Sequence, residues 1–306
     1  MRVLAASSKL HCQLDACLTQ PIHANTASNM VRRMKPHDGS FDRQVASLHD
    51  VEVKLDYATD VLHALDREFD VRREVGAYHY SVEISNGGRR HVYRAVDPPP
   101  TGRLWGAQIG TVAHALRSSL EHLTWQLVIA NMGSPSRSTQ FPILQRRPRN
   151  GSLVISGDVP PGALAIIEEA QPYNDSGDGK MLSAIHELDI FDKHRELMVT
   201  IACVHQAIAT GPSPLPERTF TFTQQPLEDN SIAVVVDYVK PQREPDPRLT
   251  FTPFMTFGLG TPYPGEVVSA FMWQLLAFVE NDFVPRFHQW VPPTRHPVNM
   301  PSRSRP

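Results

Sequence analysis

The stretch HALRSSLEHLTWQL, residues 114–127, has the apolar spacing of a buried helix but carries several charged residues. A helix turns by about 100° per residue, so its leucines share one stripe about 80° wide with apolar residues upstream. The members of the stripe are Ile109, Val112, Leu116, Leu120, Leu123 and Leu127. The other side carries His114, Ser118, Glu121 and Trp125, flanked by Arg117 and His122. The pattern predicts a helix from about Leu104 to Met132 with one core face and one polar face.

The polar face has two interpretations, an exposed face of mixed charge or a functional site. Arg117 and His122 are five residues apart, hence roughly 140° apart around the axis and about 7.5 Å along it. They can meet at one ligand only if a second surface closes over that side. His114 and Glu121 are two turns apart, and no pair of good metal ligands has i, i+4 spacing here. We therefore expect neither a metal nor a cofactor.

Three further helices are predicted from apolar spacing of three and four residues. The first begins near Phe41, runs for roughly 30 residues, and has a continuous apolar seam from Leu48 to Phe69. Another runs from about Lys180 to Ala209 and includes Cys203, and the last runs from Gly265 to about His288. A short helix is expected near residues 161–170.

Alternating patterns predict two β regions. Residues 77–97 form a hairpin around Asn86-Gly87-Gly88, and residues 218–258 contain three short antiparallel strands. The predicted fold class is thus α+β, mainly α: a bundle of about four long helices with a β-hairpin and a small antiparallel three-stranded insertion. We expect a disordered N-terminal arm at residues 1–40, a single domain at 41–289, and a disordered proline-rich tail at 290–306.

Composition bounds the function only loosely. A net charge of −2 over 306 residues argues against nucleic-acid binding by bulk charge, although a local basic patch remains compatible. No apolar run is long enough to span a bilayer, so we expect no membrane association and a cytoplasmic location. The sequence contains no glycine-rich phosphate loop, GxSxG or HExxH motif, so it gives no basis for the nucleotide-binding, hydrolase or zinc-protease classes.

A second polar helical stretch, LDIFDKHREL, spans residues 188–197. Asp189 and Lys193 are four residues apart and are expected to pair. His194 and Arg195 point among apolar neighbours and therefore need a partner, since a lone buried charge is costly. We expect one of them to reach Glu121 on the other helix, as a structural ion pair or as part of a binding site.

The segment from Arg117 to His122 resembles the R-x4-H signature of HEPN domains, helical bundles often found as metal-independent RNases. The phrase GTVAHALRSSLEHLTWQL, with FPI at 141–143, QPY at 171–173 and DKHR at 192–195, also resembles a group of uncharacterised bacterial proteins over roughly residues 45–200.

The HEPN resemblance implies RNA cleavage or RNA binding by a homodimer. His122 would be the general acid or base and Arg117 would stabilise the phosphorane, with Glu121 or His114 orienting the histidine. RNA contacts would come from Arg146, Arg147, Arg195 and His194. The competing hypothesis is a non-catalytic helical scaffold that binds a partner protein or a small ligand.

Overall fold

The computed structural model describes residues 45–74, 78–102, 104–195, 199–209, 216–223 and 225–294. Within these ranges the chain forms five α-helices and six β-strands, and the strands pair into two antiparallel sheets. The predicted bundle of about four long helices is therefore wrong. The predicted arm at residues 1–40 and residues 295–306 of the predicted tail lie outside the described residues.

The two longest helices are α1, His49–Glu74, and α2, Trp105–Ala130, and they pack along each other. The predicted core stripe of α2 is confirmed, because each of its members is fully buried. The apolar seam of α1 is confirmed in the same way from Leu48 to Phe69. Around this pair lie α3, Pro161–Glu169, α4, Gly177–His194, and α5, Val268–Ala277. Directly after α5 the chain forms a π-helical turn, Phe278–Phe283, and then a 3₁₀ turn, Val284–Phe287.

The predicted helix from Lys180 to Ala209 is wrong in its second half. Ser176 caps the start of α4 by accepting a hydrogen bond from the backbone N–H of Gly179, 3.0 Å away. The helix then ends at His194, because Arg195 takes an extended conformation with φ −151° and ψ 155°. The following Val199–Ala209, which includes Cys203, is the strand β3. Its valine and isoleucine residues favour an extended chain, and its hydrogen-bond partner lies some fifty residues away in sequence.

The predicted hairpin is confirmed as β1, His79–Ser85, paired with β2, Arg90–Val96. Its turn needs residues that tolerate a positive φ, and Asn86, Gly87 and Gly88 have φ of 50°, 61° and 88°. Three more strands occur where predicted: β4, Arg218–Phe222, β5, Ile232–Tyr238, and β6, Leu249–Phe257.

The strands do not form a separate three-stranded insertion, which corrects the predicted arrangement. β5 pairs with β2 on one side and with β4 on the other, giving a four-stranded sheet in the order β1-β2-β5-β4. β6 pairs with β3 instead. The side chain of Phe251 on β6 contacts the rings of Tyr80, Tyr93 and Phe220 on the four-stranded sheet. The two sheets are therefore joined by an aromatic layer.

Among the described helices, none has both the length and the apolar character required to cross a membrane. The described chain ends beyond α5, where Val291 is fully buried and Thr294 donates hydrogen bonds to Glu52 at the start of α1.

Candidate functional site

The polar face of α2 lies against α4, and this interface holds three of the eight candidate residues. Gly110 allows the close approach of the two helices, since a Cβ atom there would lie only 1.9 Å from a carboxylate oxygen of Asp192 on α4. The side chains that follow Gly110 on the same face of α2 are His114, Arg117 and Glu121. We call these three, together with His186, Asp189, Asp192 and Lys193 of α4, the α2–α4 polar site.

At the outer end of the site, a buried carboxylate holds two exposed cationic or basic groups. Only 3% of the side chain of Asp189 is exposed. One of its oxygens lies 2.9 Å from Nδ1 of His114, and the other accepts a hydrogen bond from Nζ of Lys193 at 2.5 Å. The imidazole of His114 is 59% exposed and the side chain of Lys193 is 50% exposed. Asp189 therefore orients an imidazole whose far edge faces solvent.

A second carboxylate adjoins this group. Burial raises the pKa of Asp192 above its usual range, and the neighbouring charge of Asp189 adds to that rise. His114 acts in the opposite sense on the same carboxyl. The site thus places two carboxylates and a histidine close together, where proton affinities depend on one another.

At the inner end, Arg117 and Glu121 form a closed network with the loop after α2. The guanidinium Nη2 of Arg117 lies 2.6 Å from a carboxylate oxygen of Glu121 and donates to the carbonyl of Phe141 at 2.8 Å. The other Glu121 oxygen accepts the backbone N–H of Phe141 at 2.6 Å. Only 13% of the Arg117 side chain is exposed, and burial lowers its pKa despite the nearby carboxylates Glu121 and Asp189. These contacts fix residue 141 to the helix.

His186 is a member of the site that sequence analysis did not single out. It lies one turn before Asp189 on α4, and its Nδ1 is buried without a hydrogen-bond partner. Burial lowers the pKa of His186, and the positive charge of Arg117 lowers it further. The i, i+3 spacing from Asp189 placed His186 on the same helix face, which was the available signal.

The predicted residues Arg117 and His122 are not brought together. Arg117 turns toward α4 and bonds to Glu121 and Phe141, whereas His122 is half-buried about 140° further round the axis of α2. His114, eight residues before His122, is about 12 Å from it along the helix. The two histidines are therefore too far apart to act on the same phosphate.

The predicted pairing of Arg195 or His194 with Glu121 is wrong. Both residues are exposed at the end of α4, and the guanidinium of Arg195 lies over the ring of Phe191, 5.8 Å from its centroid. Glu121 instead pairs within its own helix. The predicted pairing of Asp189 with Lys193, four residues apart on α4, is confirmed.

The two loop arginines, Arg146 and Arg147, differ in their contacts with the rest of the chain. Arg146 is exposed. Arg147 donates to the side chain of Asn174 at 2.9 Å and stacks over the ring of Tyr173, 5.2 Å from its centroid. Arg146 is therefore the more available of the two for an anionic ligand.

A groove of about 430 Å³ lies on the other flank of α2, where α2 meets α1. Its lining includes Tyr57 and Val61 of α1 and Thr111 of α2, with Leu104 at the start of α2. Tyr57 and Leu104 are 52% and 66% exposed. The groove offers a mainly apolar surface, and Asp60 is the charged residue among those that line it.

Within the described part of the chain, no group of three or more histidine, cysteine, aspartate or glutamate side chains is placed to hold a metal ion.

Comparison of the chain with protein-family models, curated proteins and solved structures finds no match. The resemblance to HEPN domains therefore rests on its own few residues.

Proposed function

We propose that the α2–α4 polar site binds RNA and cleaves it without a metal ion, with His114 as the general base. The observation that carries the proposal is the exposed imidazole of His114 held 2.9 Å from the buried carboxylate of Asp189. This arrangement is one that acid–base enzymes use to fix the orientation and tautomer of a histidine. The proposal keeps RNA as the substrate but moves the base from His122 to His114.

The chemistry follows from the tautomer. An ionised Asp189 can only accept, so Nδ1 of His114 carries the proton and Nε2 keeps a lone pair on the exposed edge. Nε2 would take the proton of a ribose 2′-OH as that oxygen attacks the adjacent phosphorus. The bond from phosphorus to the 5′ oxygen then breaks, and water supplies a proton to the departing oxygen. The products are a 2′,3′-cyclic phosphate and a 5′-hydroxyl.

The charge that builds on the phosphorane needs a cation nearby. Lys193 is bound to the same carboxylate as His114 and is half exposed, so its ammonium group can approach a phosphate at this place. Arg117 is a positioning residue in this proposal, because its guanidinium is committed to Glu121 and to the loop at Phe141. The exposed Arg146 on that loop is available for the RNA backbone.

The proposal includes a cytoplasmic homodimer formed through the outer ridge of α2. That ridge includes Trp125, which is 38% exposed and therefore available to a second copy of the chain. Light scattering should then give twice the mass of the chain.

The direct test incubates the full-length protein with a mixed RNA pool in EDTA. Wild type should cleave, and His114→Gln should lose at least 100-fold in rate, in keeping with the contribution of a general base. His79→Gln, at an exposed histidine on β1, is the matched control and should retain the wild-type rate. A thermal melt of each protein separates lost chemistry from lost folding.

Two outcomes overturn the assignment. Equal cleavage by wild type and His114→Gln, with loss in His122→Ala, would return the catalytic role to His122. No cleavage and no RNA binding by the folded wild type would reject the RNA function.

The second candidate function is a non-catalytic scaffold that binds a partner protein or a small ligand. It is favoured by the near-complete burial of Arg117 in contacts within its own chain. If the protein is such a scaffold, Arg117→Ala should destabilise the fold, and the wild-type protein should not cleave RNA.

A further inference from the structure

A group of buried polar side chains lies on the inner face of the four-stranded sheet, away from the helices. His91 and Tyr93 of β2 and Tyr238 of β5 are 0%, 5% and 4% exposed. Arg218 of β4 is opposite Tyr238 in the strand register, and Asp246 lies on the loop that leads into β6. We call these five residues the tyrosine cluster.

The strand register explains why they converge. His91 and Tyr93 are two residues apart and so point to the same face of β2. The ring of Tyr238 lies 4.8 Å from that of His91, centroid to centroid. Burial raises the pKa of both Tyr93 and Tyr238, and the guanidinium of Arg218 opposes the rise at both. A contact in which the hydroxyl of Tyr93 donates to that of Tyr238 raises the pKa of Tyr93 and lowers that of Tyr238. The two hydroxyls and the guanidinium therefore share one small region.

Several polar atoms of the cluster are buried without a hydrogen-bond partner of ordinary geometry. They are the hydroxyls of Tyr93 and Tyr238, Nε of Arg218 and Nδ1 of His91. An unpaired buried polar group is costly, so such atoms are rare in folded proteins. Their concentration in one cluster distinguishes this place from the rest of the described chain.

The charges of the region favour an anion. Asp246 is already neutralised, because Arg248 binds both of its carboxylate oxygens at 2.8 Å. Arg218 makes one long hydrogen bond, from Nη1 to the carbonyl of Pro216 at 3.3 Å, and lies over the ring of Phe220. Arg218 forms no ion pair among the described residues, but its charge lowers the pKa of Asp246, as that of Arg248 does. The guanidinium groups of Arg218 and Arg248 thus share one carboxylate, which leaves the region with a net positive charge.

We propose that the tyrosine cluster binds a small oxyanion, a carboxylate or a phosphate group, through Nε–H of Arg218 and the hydroxyls of Tyr93 and Tyr238. Nε–H of Arg218 and the hydroxyl of Tyr238 can donate directly, and the hydroxyl of Tyr93 can turn from Tyr238 to the ligand, because one oxyanion offers several acceptor lone pairs. Arg218 and Asp246 are only partly buried, whereas the hydroxyls of Tyr93 and Tyr238 are fully buried. The site is independent of the α2–α4 polar site and of any action on RNA.

The test measures anion binding by the full-length protein with calorimetry and thermal melts. The probes are sodium phosphate and sodium acetate, each against sodium chloride at equal ionic strength. Wild type should bind at least one probe and melt at a higher temperature in its presence, and the probe that binds identifies the ligand class. Arg218→Gln should weaken binding at least 10-fold. Arg90→Gln, which alters an arginine on the opposite face of the same sheet, should leave binding unchanged.

The tyrosine variants provide the decisive signature. Tyr238→Phe removes a hydroxyl that donates to the ligand in this proposal, so the melting temperature of the variant should rise less than that of wild type when the binding probe is added. A purely structural hydroxyl would give a lower melting temperature in every buffer. The proposal is overturned if wild type responds to both probes as it does to chloride. It is also overturned if Arg218→Gln and Tyr238→Phe bind the probe as wild type does.

Discussion

Replacing Arg117 by methionine should lower the free energy of unfolding by about 3 kcal/mol, the lower end of the range for breaking a buried ion pair. Methionine keeps the apolar stem but loses the ion pair to Glu121 and the hydrogen bond to the carbonyl of Phe141. A hydrogen bond from a charged donor contributes about 1.5–3 kcal/mol. The loss stays at the lower end because Glu121 is 31% exposed and still accepts the N–H of Phe141.

The assay is urea unfolding followed by circular dichroism, with Arg146→Met as the control at an exposed loop arginine. A loss of about 3 kcal/mol in a domain of this size lowers the melting temperature by roughly 6–12 °C. A double-mutant cycle with Glu121→Gln should give a coupling of about 1–3 kcal/mol between the two positions. If Arg117→Met costs no more than Arg146→Met, the network is not stabilising and the reasoning is refuted.

Three further predictions concern other contacts. The pKa of His186 is lowered from its ordinary 6.5, so the unfolded chain binds the proton more tightly and stability should fall as the pH drops below about 6.5. Unfolding at pH 7.5 and 5.5 should show a drop that is smaller in His186→Gln, and an equal drop would contradict the burial argument. Gly110→Ala should destabilise by about 1–3 kcal/mol, because the new Cβ meets Asp192, whereas helix propensity alone predicts a gain of about 1 kcal/mol. A melt that moves upward would show that the side chain of Asp192 can move aside at no cost. Phe251→Ala should cost about 3–5 kcal/mol, since its ring joins the two sheets, and a loss below 1 kcal/mol would mean that the aromatic layer does not hold them.

The sequence was informative where contacts are local. The core stripe of α2 follows from its leucine spacing, and the pairing of Asp189 with Lys193 follows from their separation of four residues. The hairpin was also predictable, because its turn residues tolerate a positive φ. In each of these cases the residues that decide the structure lie within a few positions of each other.

Contacts between distant segments were not predictable from one sequence. Val199–Ala209 continues an apolar pattern that a helix could also use, and it becomes a strand because β6 provides its hydrogen bonds. The contact of His114 with Asp189 joins residues 75 positions apart. Helical angles indicate which face carries each side chain, but not which helix covers that face. The match of Arg117 and His122 to a known signature drew attention to α2, but it did not indicate that His114 is the histidine of this helix that contacts Asp189 on α4.

Whether His114 can act as a base depends on which of its ring nitrogens carries the proton. The most direct measurement is the ¹⁵N–¹H NMR spectrum of the imidazole in the full-length protein, recorded at a pH at which the ring is neutral. The His114→Gln variant assigns the signals. A proton on Nδ1, with an unprotonated Nε2 and a redistribution in Asp189→Asn, is the predicted result. A proton on Nε2 in wild type would contradict it, because the solvent-facing nitrogen would then have no lone pair to accept the proton of a substrate.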